Sequence, residues 1–295
     1  MTSSPSSPES RADPVEWGRL HHAYGSAADV PDLLRALRSP DEDTRHQAHY
    51  RLRGNIYHQG TRWEASAHAV PTLVSLVDDK STPERGLVVR LLRLVGLGDV
   101  RDEDLPFDPT KEFAEAGDAT DRDVAWLVEA LYDEEKDLDE VPMDVQVAVD
   151  ARWRRDCYRA TAEHLDTYRT WLADDDADVG AHTAELLAWF PVDDATVAAL
   201  LAPAQATVRA SANLTLAHLG PDSTVDNALV EQLGSDVVEV RRTAAVALAY
   251  RLGPSLPDKA LDVLTESTSV RTAVPGWDRA LDGFMSLAVR RAQAT

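Results

Sequence analysis

A nine-residue segment recurs along the chain, and this repetition constrains the fold more than any other feature of the sequence. The four copies read TRHQAHYRL, VGAHTAELL, VRASANLTL and VRRTAAVAL, and they begin at Thr44, Val179, Val208 and Val240. Each copy has a small residue at its fifth position and a leucine at its ninth: Ala48, Thr183, Ala212 and Ala244, then Leu52, Leu187, Leu216 and Leu248. The last three copies follow one another at about thirty residues, a period typical of helical repeat arrays.

A second amphipathic segment precedes each copy, as in VPDLLRALRS, DATVAALLAP and VDNALVEQLG. Apolar residues in these segments recur at helical spacing, and the turns that follow are rich in Asp, Ser and Pro. Three prolines suit the first turn of a helix: Pro31, Pro71 and Pro257. Each unit is therefore predicted to be a helical hairpin. Because one hairpin cannot bury its own apolar face, the sequence predicts an all-α fold whose hairpins stack into a right-handed α-solenoid.

The pattern of a short helix, an Asp-containing turn and then VR..A...L..LG resembles the short bacterial type of HEAT repeat. The resemblance covers residues 29–98 and about 143–265. Two further segments, HHAYG from His21 and GNIYHQGTRWEASAHAVPTLV from Gly54, resemble parts of actinobacterial HEAT-repeat proteins. The resemblance implies an α-solenoid and, in general, protein binding. It implies no particular activity.

Acidic charge is unevenly distributed along the chain. The formal net charge is -21 at pH 7, and residues 99–144 carry 18 acidic and four basic residues. We interpret 1–14 as a disordered tail, 15–98 as an N-terminal cap with the first repeats, 99–142 as an acidic insertion, and 143–295 as the C-terminal repeats and cap. The insertion is predicted to be either a solvated surface or a contact surface for a basic partner.

Within the insertion, DRDVAWLVEALY places four apolar residues on one helical face: Val124, Leu127, Val128 and Leu131. This segment is predicted to pack as an extra helix, whereas the rest of the insertion has nothing to bury. Arginines of the next helix are expected to pair with the acidic residues: Arg152, Arg154, Arg155 and Arg159. Aromatic residues on amphipathic faces are predicted to be core, or to cover the C-terminal end: Trp126, Trp153, Trp171 and Trp189, then Trp277 and Phe284.

Composition excludes several classes of protein. No apolar run approaches the roughly 20 residues that a membrane helix needs, so we predict no membrane partner. A net charge of -21 repels phosphate backbones, which disfavours nucleic-acid binding. The first residues lack the basic start and apolar middle of a secretory signal, and a single cysteine, Cys157, cannot form an internal disulfide. Both observations favour a cytoplasmic protein.

The connection at residues 54–64 is rich in aromatic and hydrogen-bonding side chains. Gly54 suits a left-handed C-cap, and Thr61 with Glu64 fits a capping box, so a structured loop is predicted to enter a helix near Arg62. Six of the nine histidines lie before residue 70. The candidate ligand- or partner-binding residues are Trp17, His21, His22, Tyr24, Tyr57, His58, Gln59, Arg62, Trp63 and Glu64. Alternatively, these side chains cap the apolar end of the first repeat.

The sequence carries no recognisable signature of catalysis or metal binding. His46 and His49, three residues apart, lack a definite third ligand, and the turn DDDAD lacks the glycine and distal glutamate of a calcium loop. Cys157 could share a helical face with His164, but a buried structural thiol is favoured over a nucleophile. We predict no catalytic residue, no metal and no cofactor, and the sequence indicates no oligomeric state.

Three functions from different classes are compatible with these patterns. The first, which the sequence favours, is an interaction scaffold that binds a basic protein or peptide through an acidic concave face, as an antitoxin or immunity protein would. The second is an enzyme, because HEAT-like alkylpurine DNA glycosylases exist; Arg209, Arg241 and Arg242 could line a groove, although bonding to turn carboxylates is favoured. The third is a small-molecule site built from Trp17, His21, Tyr24, His58 and Trp63.

Overall fold

The structure, a computed structural model, describes residues 15–133, 135–266 and 272–293. The predicted tail, residues 1–14, lies outside the described residues. A short antiparallel hairpin pairs β1 (His21–His22) with β2 (Gly25–Ser26). The remaining regular structure is helical, so the predicted all-α class is confirmed.

The first seven α-helices are α1 Val30–Ala36, α2 Glu42–Ile56, α3 Glu64–Asp78, α4 Arg85–Leu97, α5 Pro109–Glu112, α6 Asp121–Tyr132 and α7 Met143–Ala162. The next eight are α8 Leu165–Trp171, α9 Ala177–Leu187, α10 Asp194–Leu201, α11 Ala206–Leu216, α12 Ser223–Gln232, α13 Val238–Leu252, α14 Asp258–Thr265 and α15 Leu281–Ala292. Short 3-10 turns connect several of them. Among the described residues, none of these helices has the length and apolar character to cross a membrane.

Most helices pack as consecutive pairs: α1 with α2, α3 with α4, α8 with α9, α10 with α11, α12 with α13, and α14 with α15. The second helices of the later pairs also pack on one another in chain order, α4 on α9, α9 on α11, α11 on α13 and α13 on α15. We call these five helices the central row. The long helix α7 packs against both α3 and α4.

The repeated sequence positions lie where helices meet. All eight are buried: Ala48, Leu52, Thr183, Leu187, Ala212, Leu216, Ala244 and Leu248. The small residues let the helices of the central row approach closely enough for side chains to bond the backbone of the neighbouring helix. Ser211 Oγ donates to the Ala181 carbonyl at 2.7 Å, and the Asn213 amide donates to the Val240 carbonyl at 3.3 Å.

A buried ion pair joins α4 to the turn before α9. The Arg85 guanidinium donates two hydrogen bonds to the Asp174 carboxylate, at 2.8 and 2.7 Å, and both side chains are less than a tenth exposed. The Trp171 indole N–H donates to Asp78 at 2.7 Å beside it. These contacts bring α4 next to α9 although the whole insertion and α7 separate them in sequence.

The insertion packs more closely than its composition predicts. Leu127 is buried with Val149 and Trp153 in a small core between α6 and α7, which confirms the extra helix. Phe113 and Ala116 join the main core, so the prediction that the rest of the insertion has nothing to bury is wrong. Two of the expected ion pairs form, between Arg152 and Asp121 at 2.5 Å and between Arg154 and Glu112 at 2.6 Å, whereas Arg155 pairs with Asp156 of its own helix.

Exposure separates the predicted core tryptophans. Trp153, Trp171 and Trp189 are buried, as predicted. Trp126 is 39% exposed because it lies off the face of α6 that meets α7, so its assignment to the core is wrong.

Three local predictions differ from the structure because tertiary burial moves the helix ends. Helix α2 continues through Gly54 to Ile56, whose side chain is fully buried, so Gly54 is not a left-handed cap. Helix α3 begins at Glu64, and its capping partner is Ser66, whose Oγ accepts from the Trp63 N–H at 2.8 Å, in place of the expected Thr61–Glu64 box. As a result, Pro71 lies inside α3.

The other two prolines sit at helix starts. Pro31 lies in the first turn of α1, as expected. Pro257 is the N-cap residue of α14, one position before its first turn.

The segment before α15 runs along the central row. The Trp277 indole N–H lies 3.1 Å from Ser211 Oγ of α11, and Trp277 is buried. The next arginine, Arg279, donates to Asp102 at 2.7 Å and to Glu103 at 2.5 Å in the insertion. Trp277 and Phe284 are thus buried as predicted, but Trp277 packs on the side of the row.

Close packing of the central row predicts a sensitive glycine. A Cβ at Gly180 in α9 would lie 2.7 Å from Cγ2 of Val208 in α11. Gly180→Ala should lower the free energy of unfolding by about 1–3 kcal/mol, since overpacking outweighs the roughly 1 kcal/mol that alanine gains in a helix. Urea unfolding measures the change. Gly220→Ala is the control, because the described residues, its two chain neighbours aside, place no atom within 4 Å of its Cβ position; equal stability of the two variants would contradict this packing.

Packing of the C-terminal segment predicts a pH dependence. His218 stacks on Trp277 with ring centroids 6.1 Å apart, and burial, together with Arg291, lowers the pKa of His218 to about 4. An unfolded histidine titrates near 6.5, so between these values the unfolded chain binds more protons than the folded one. Stability should therefore fall as the pH decreases from about 6.5 to about 4, by up to about 3 kcal/mol.

The variant His218→Phe keeps an aromatic ring and removes the titrating group. Urea unfolding at pH 7 and pH 5 should show a smaller difference for this variant than for the unsubstituted protein. An identical pH difference in both proteins would show that His218 titrates alike in the folded and unfolded states.

Candidate ligand-binding site

The loop between α2 and α3 is a tight hairpin turn. Gln59 and Gly60 both have positive φ, 48° and 90°, and His58 and Thr61 exchange backbone hydrogen bonds of 3.1 and 2.9 Å. This is the geometry of a type I′ turn, for which glycine at the second position is favoured. At the base of the loop, Ser66 Oγ donates to the Ile56 carbonyl at 2.7 Å. The loop is therefore fixed at its tip by the turn and at its base by Ser66.

Four of the predicted site residues line one cavity of about 600 Å³: Tyr24, Tyr57, His58 and Gln59. Helix α2 contributes Tyr50, Arg51, Arg53, Gly54 and Asn55 to its wall, and Asp99 also lines it. We call this space the aromatic cavity. Tyr24 is 68% exposed and Tyr50 is 80% exposed, so both rings present large unburied faces.

Two tyrosines of the aromatic cavity, Tyr24 and Tyr57, are held in place by hydrogen bonds. The Tyr24 hydroxyl and His58 Nδ1 share a hydrogen bond of 3.3 Å, and their rings meet edge to face at 5.4 Å. Tyr57 is buried, and its hydroxyl donates to Asp99. Burial, followed by this contact with a carboxylate, raises the pKa of Tyr57. Tyr57 therefore stays neutral and anchors Asp99.

Six predicted site residues do not line the aromatic cavity. His21 Nδ1 donates to Glu64 at 3.0 Å, and the His21 ring stacks on Tyr132 at 4.9 Å. Trp63 packs against Tyr132 and Trp153, and Trp17 contacts His68 edge to face at 6.5 Å. These contacts join the N-terminal segment to α3, α6 and α7, so this part of the set packs as a cap would.

His22, the fifth of these residues, is a buried hydrogen-bonding centre. Its Nδ1 accepts from the Tyr24 N–H at 3.1 Å, which leaves Nε2 to donate to Asp29 at 3.0 Å. The Asn55 amide donates to the other oxygen of Asp29 at 3.1 Å. The arrangement ties the β1–β2 hairpin to α2 and fixes the position of Tyr24.

Arg62 lines a different cavity, of about 850 Å³, beside Phe107. Its side chain is buried, and one Nη donates to the Gly60 carbonyl at 2.7 Å. The guanidinium occupies the space that a Cβ at Gly98 would need. Burial lowers the pKa of Arg62. Acidic residues of the insertion line the same cavity: Asp104, Asp108 and Glu112.

A third cavity, of about 560 Å³, adjoins the aromatic cavity and shares Arg53 and Asp99 with it. Its wall contains four arginines: Arg53, Arg90, Arg93 and Arg101. His49 of α2 and Asp278 of the C-terminal segment complete its polar lining. We call this space the arginine cavity. Its residues come from three distant parts of the sequence.

The arginines of this cavity differ in their partners. Arg93 pairs with Glu185 at 3.2 Å and donates to the carbonyls of Gly98 and Val100. In the part of the chain that the structure describes, the side chains of Arg53, Arg90 and Arg101 have no carboxylate within 4 Å. Because Asp99 and Asp278 also line the arginine cavity, Arg53, Arg90 and Arg101 give its lining a small net positive charge.

Two histidines near these arginines have lowered pKa values. Burial is the main cause that lowers the pKa of His49, and Arg90 and Arg53 lower it further. Burial also lowers the pKa of His182 on α9, with a smaller effect of Arg90. Because each His is held neutral, the positive charge of the cavity rests on its arginines.

Four other reactive side chains that the sequence singled out are either buried or paired with a carboxylate. Burial raises the pKa of the Cys157 thiol to about 12, as a structural thiol requires. His46 donates to Glu84 at 3.0 Å, and this hydrogen bond raises the pKa of His46. Arg241 and Arg242 lie 3.8 and 3.6 Å from Glu266, as expected for arginines that pair with nearby carboxylates. Across residues 15–133, 135–266 and 272–293, no group of three His, Cys, Asp or Glu side chains is placed to hold a metal ion.

Sequence patterns did not identify several residues of these cavities: Tyr50, Arg53, Arg90, Arg101 and Asp278. One signal was present, because VVRLLRLVGL places Arg90 and Arg93 on an otherwise apolar helix. Arginines that interrupt an apolar run must reach either a carboxylate or a solvent-filled space.

Comparison with known proteins gives no match of any of three kinds: no protein-family model, no curated protein and no solved structure matches this chain significantly. The resemblance to HEAT repeats therefore stays a prediction.

Proposed function

We propose that this protein binds a small anionic ligand in the groove formed by the aromatic and arginine cavities. One observation carries the proposal: three arginines that have no carboxylate partner among the described residues, Arg53, Arg90 and Arg101, surround one cavity of a molecule whose net charge is -21. Among the function classes that the sequence left open, this is the small-molecule site, although its residues differ from the predicted set.

Carboxylates are abundant in this chain, and many arginines reach one. Arg45 pairs with Glu84 at 2.8 Å, and Arg251 pairs with Asp226 at 2.6 Å. Neighbouring guanidinium groups repel one another, and an anion between them removes that repulsion. The planar fork of arginine matches carboxylate and phosphate oxygens. A bound anion would therefore satisfy Arg53, Arg90 and Arg101 together.

The proposal includes the finer features of the fold. Consecutive helix pairs and a central row whose members pack in chain order support a right-handed α-solenoid of the HEAT type. A single buried cysteine supports a cytoplasmic location, because disulfides are rare in reducing compartments. The groove lies between second helices of successive pairs, where repeat proteins commonly bind their ligands.

A second candidate function, the binding of a basic protein or peptide, is favoured by the surface where the insertion enters α7. Met143 is 71% exposed and Val147, one turn later, is 44% exposed. Exposed acidic residues precede Met143 or lie between it and Val147: Asp133, Glu135, Asp137, Asp139, Glu140 and Asp144. An apolar spot bordered by carboxylates fits an amphipathic basic segment.

The anion site is tested with pyrophosphate as the probe, by isothermal titration calorimetry in metal-free buffer. Pyrophosphate should bind, and Arg90→Ala should weaken its affinity about tenfold or more, since hydrogen bonds to charged groups contribute roughly 1.5–3 kcal/mol. The control is Arg35→Ala, an exposed arginine of α1 that pairs with Asp32. Absence of binding, or equal effects of the two substitutions, would refute the anion site.

The second candidate is tested with an amphipathic Lys/Leu peptide, whose binding is followed by fluorescence anisotropy. Affinity should fall as salt is raised, because surface charge attraction is screened, and Met143→Ser with Val147→Ser should reduce it further. Val230→Ser is the control, since Val230 is similarly exposed, at 41%, on α12. Binding that neither salt nor the double substitution changes would exclude this surface.

A further inference from the structure

We infer that the anionic ligand is a nucleoside phosphate, with its base in the aromatic cavity and its phosphate in the arginine cavity. The inference rests on the proposed function and names the ligand class of the same groove. The two cavities meet at Arg53 and Asp99. A ligand that fills both must therefore join a planar apolar part to an anionic part.

Helix α2 presents a different face to each cavity. Tyr50 and Gly54, four residues apart, line the aromatic cavity, whereas His49 and Arg53, also four residues apart, line the arginine cavity. Residues at this spacing lie one above the other on a helix. The two parts of a ligand would thus lie side by side across α2.

The aromatic cavity offers a surface suited to a base. Tyr24 and Tyr50 have exposed rings, and a Cβ built at Gly54 would lie 3.8 Å from the Tyr24 ring. Because Gly54 has no side chain, the wall of the cavity next to Tyr24 is flat. The Tyr24 ring is held by His58 and by its backbone bond to His22, so little motion is lost when a base stacks on it.

Asp99 determines the order in which the parts of the ligand lie along the groove. Its carboxylate accepts from Tyr57 and lies at the junction of the two cavities. A carboxylate repels phosphate but accepts well from sugar hydroxyls, as acidic residues do in dinucleotide sites. The ribose would therefore lie at Asp99, with the phosphate beyond it, near Arg90 and Arg101.

The size and charge of the groove restrict the ligand further. The two cavities measure about 600 and 560 Å³, within the range of roughly 300–1,000 Å³ that small-molecule sites occupy. Arg53, Arg90 and Arg101 outnumber Asp99 and Asp278 in the lining by one charge, which suits a single phosphate group. A mononucleotide provides a base, a ribose and a phosphate in the required order.

Calorimetry on the full chain tests the inference with pyrophosphate, ribose 5-phosphate and the four ribonucleoside 5′-monophosphates. At least one nucleotide should bind about tenfold or more tightly than ribose 5-phosphate. Tyr50→Ala should weaken that nucleotide roughly five- to hundredfold, the equivalent of about 1–3 kcal/mol of base stacking. It should leave pyrophosphate affinity unchanged. Tyr50→Phe keeps the ring and should bind as the unsubstituted protein does.

The outcomes separate the two proposals. If pyrophosphate binds but no nucleotide binds more tightly than ribose 5-phosphate, the ligand class is wrong and the anion site stands. If Tyr50→Ala weakens nucleotide and pyrophosphate equally, the base does not lie in the aromatic cavity and the inference is again overturned. If neither pyrophosphate nor any nucleotide binds, both proposals fail.

Discussion

The arrangement of the molecule depends on the buried ion pair between Arg85 and Asp174. Removing two charges from water is costly, and the pair is stable because two parallel hydrogen bonds and further backbone bonds satisfy both groups. The Arg85 guanidinium lowers the pKa of Asp174, so the carboxylate stays ionised in the interior. The pair holds α4 against α9. The row of packed helices therefore continues after the insertion, and Arg90 lies beside the C-terminal segment.

The insertion and the C-terminal segment show how contacts distant in sequence complete the site. Arg279 joins residues 102 and 103 to the segment that carries Asp278, and this segment closes one wall of the arginine cavity. Tyr57, buried in the loop after α2, holds Asp99 at the junction of two cavities. The groove is thus a product of the whole chain.

Much of the fold could be predicted because its determinants are local or repeated. The spacing of small residues and leucines located α2, α9, α11 and α13, and their burial follows from that spacing. Helix ends were less predictable. Glycine is a common residue at helix ends, yet burial of Ile56 extends α2 past Gly54. Trp126 has the spacing of a core residue, but α7 covers only one face of α6.

The candidate site was only partly predictable, because some of its residues are neighbours in sequence and others meet only through tertiary packing. Tyr24, Tyr57, His58 and Gln59 were found because aromatic and polar residues are unusual in a connecting loop, and the hairpin turn brings them together. The arginines were missed because each belongs to an ordinary helix or turn in the sequence. Only the packing of α2 beside α4 places Arg53 and Arg90 around one space, where neither forms an ion pair with a carboxylate of residues 15–133, 135–266 or 272–293.

The position of a positive cavity within a negatively charged molecule has a kinetic consequence. The proposed phosphate ligand must cross the repulsive field of the surface before it reaches the arginines. Added salt shortens the range of that field, to about 8 Å at physiological ionic strength, but acts less on contacts inside the cavity. Salt would therefore raise the association rate and only modestly raise the dissociation rate. Association that is steered by complementary charge shows the opposite, because salt slows it.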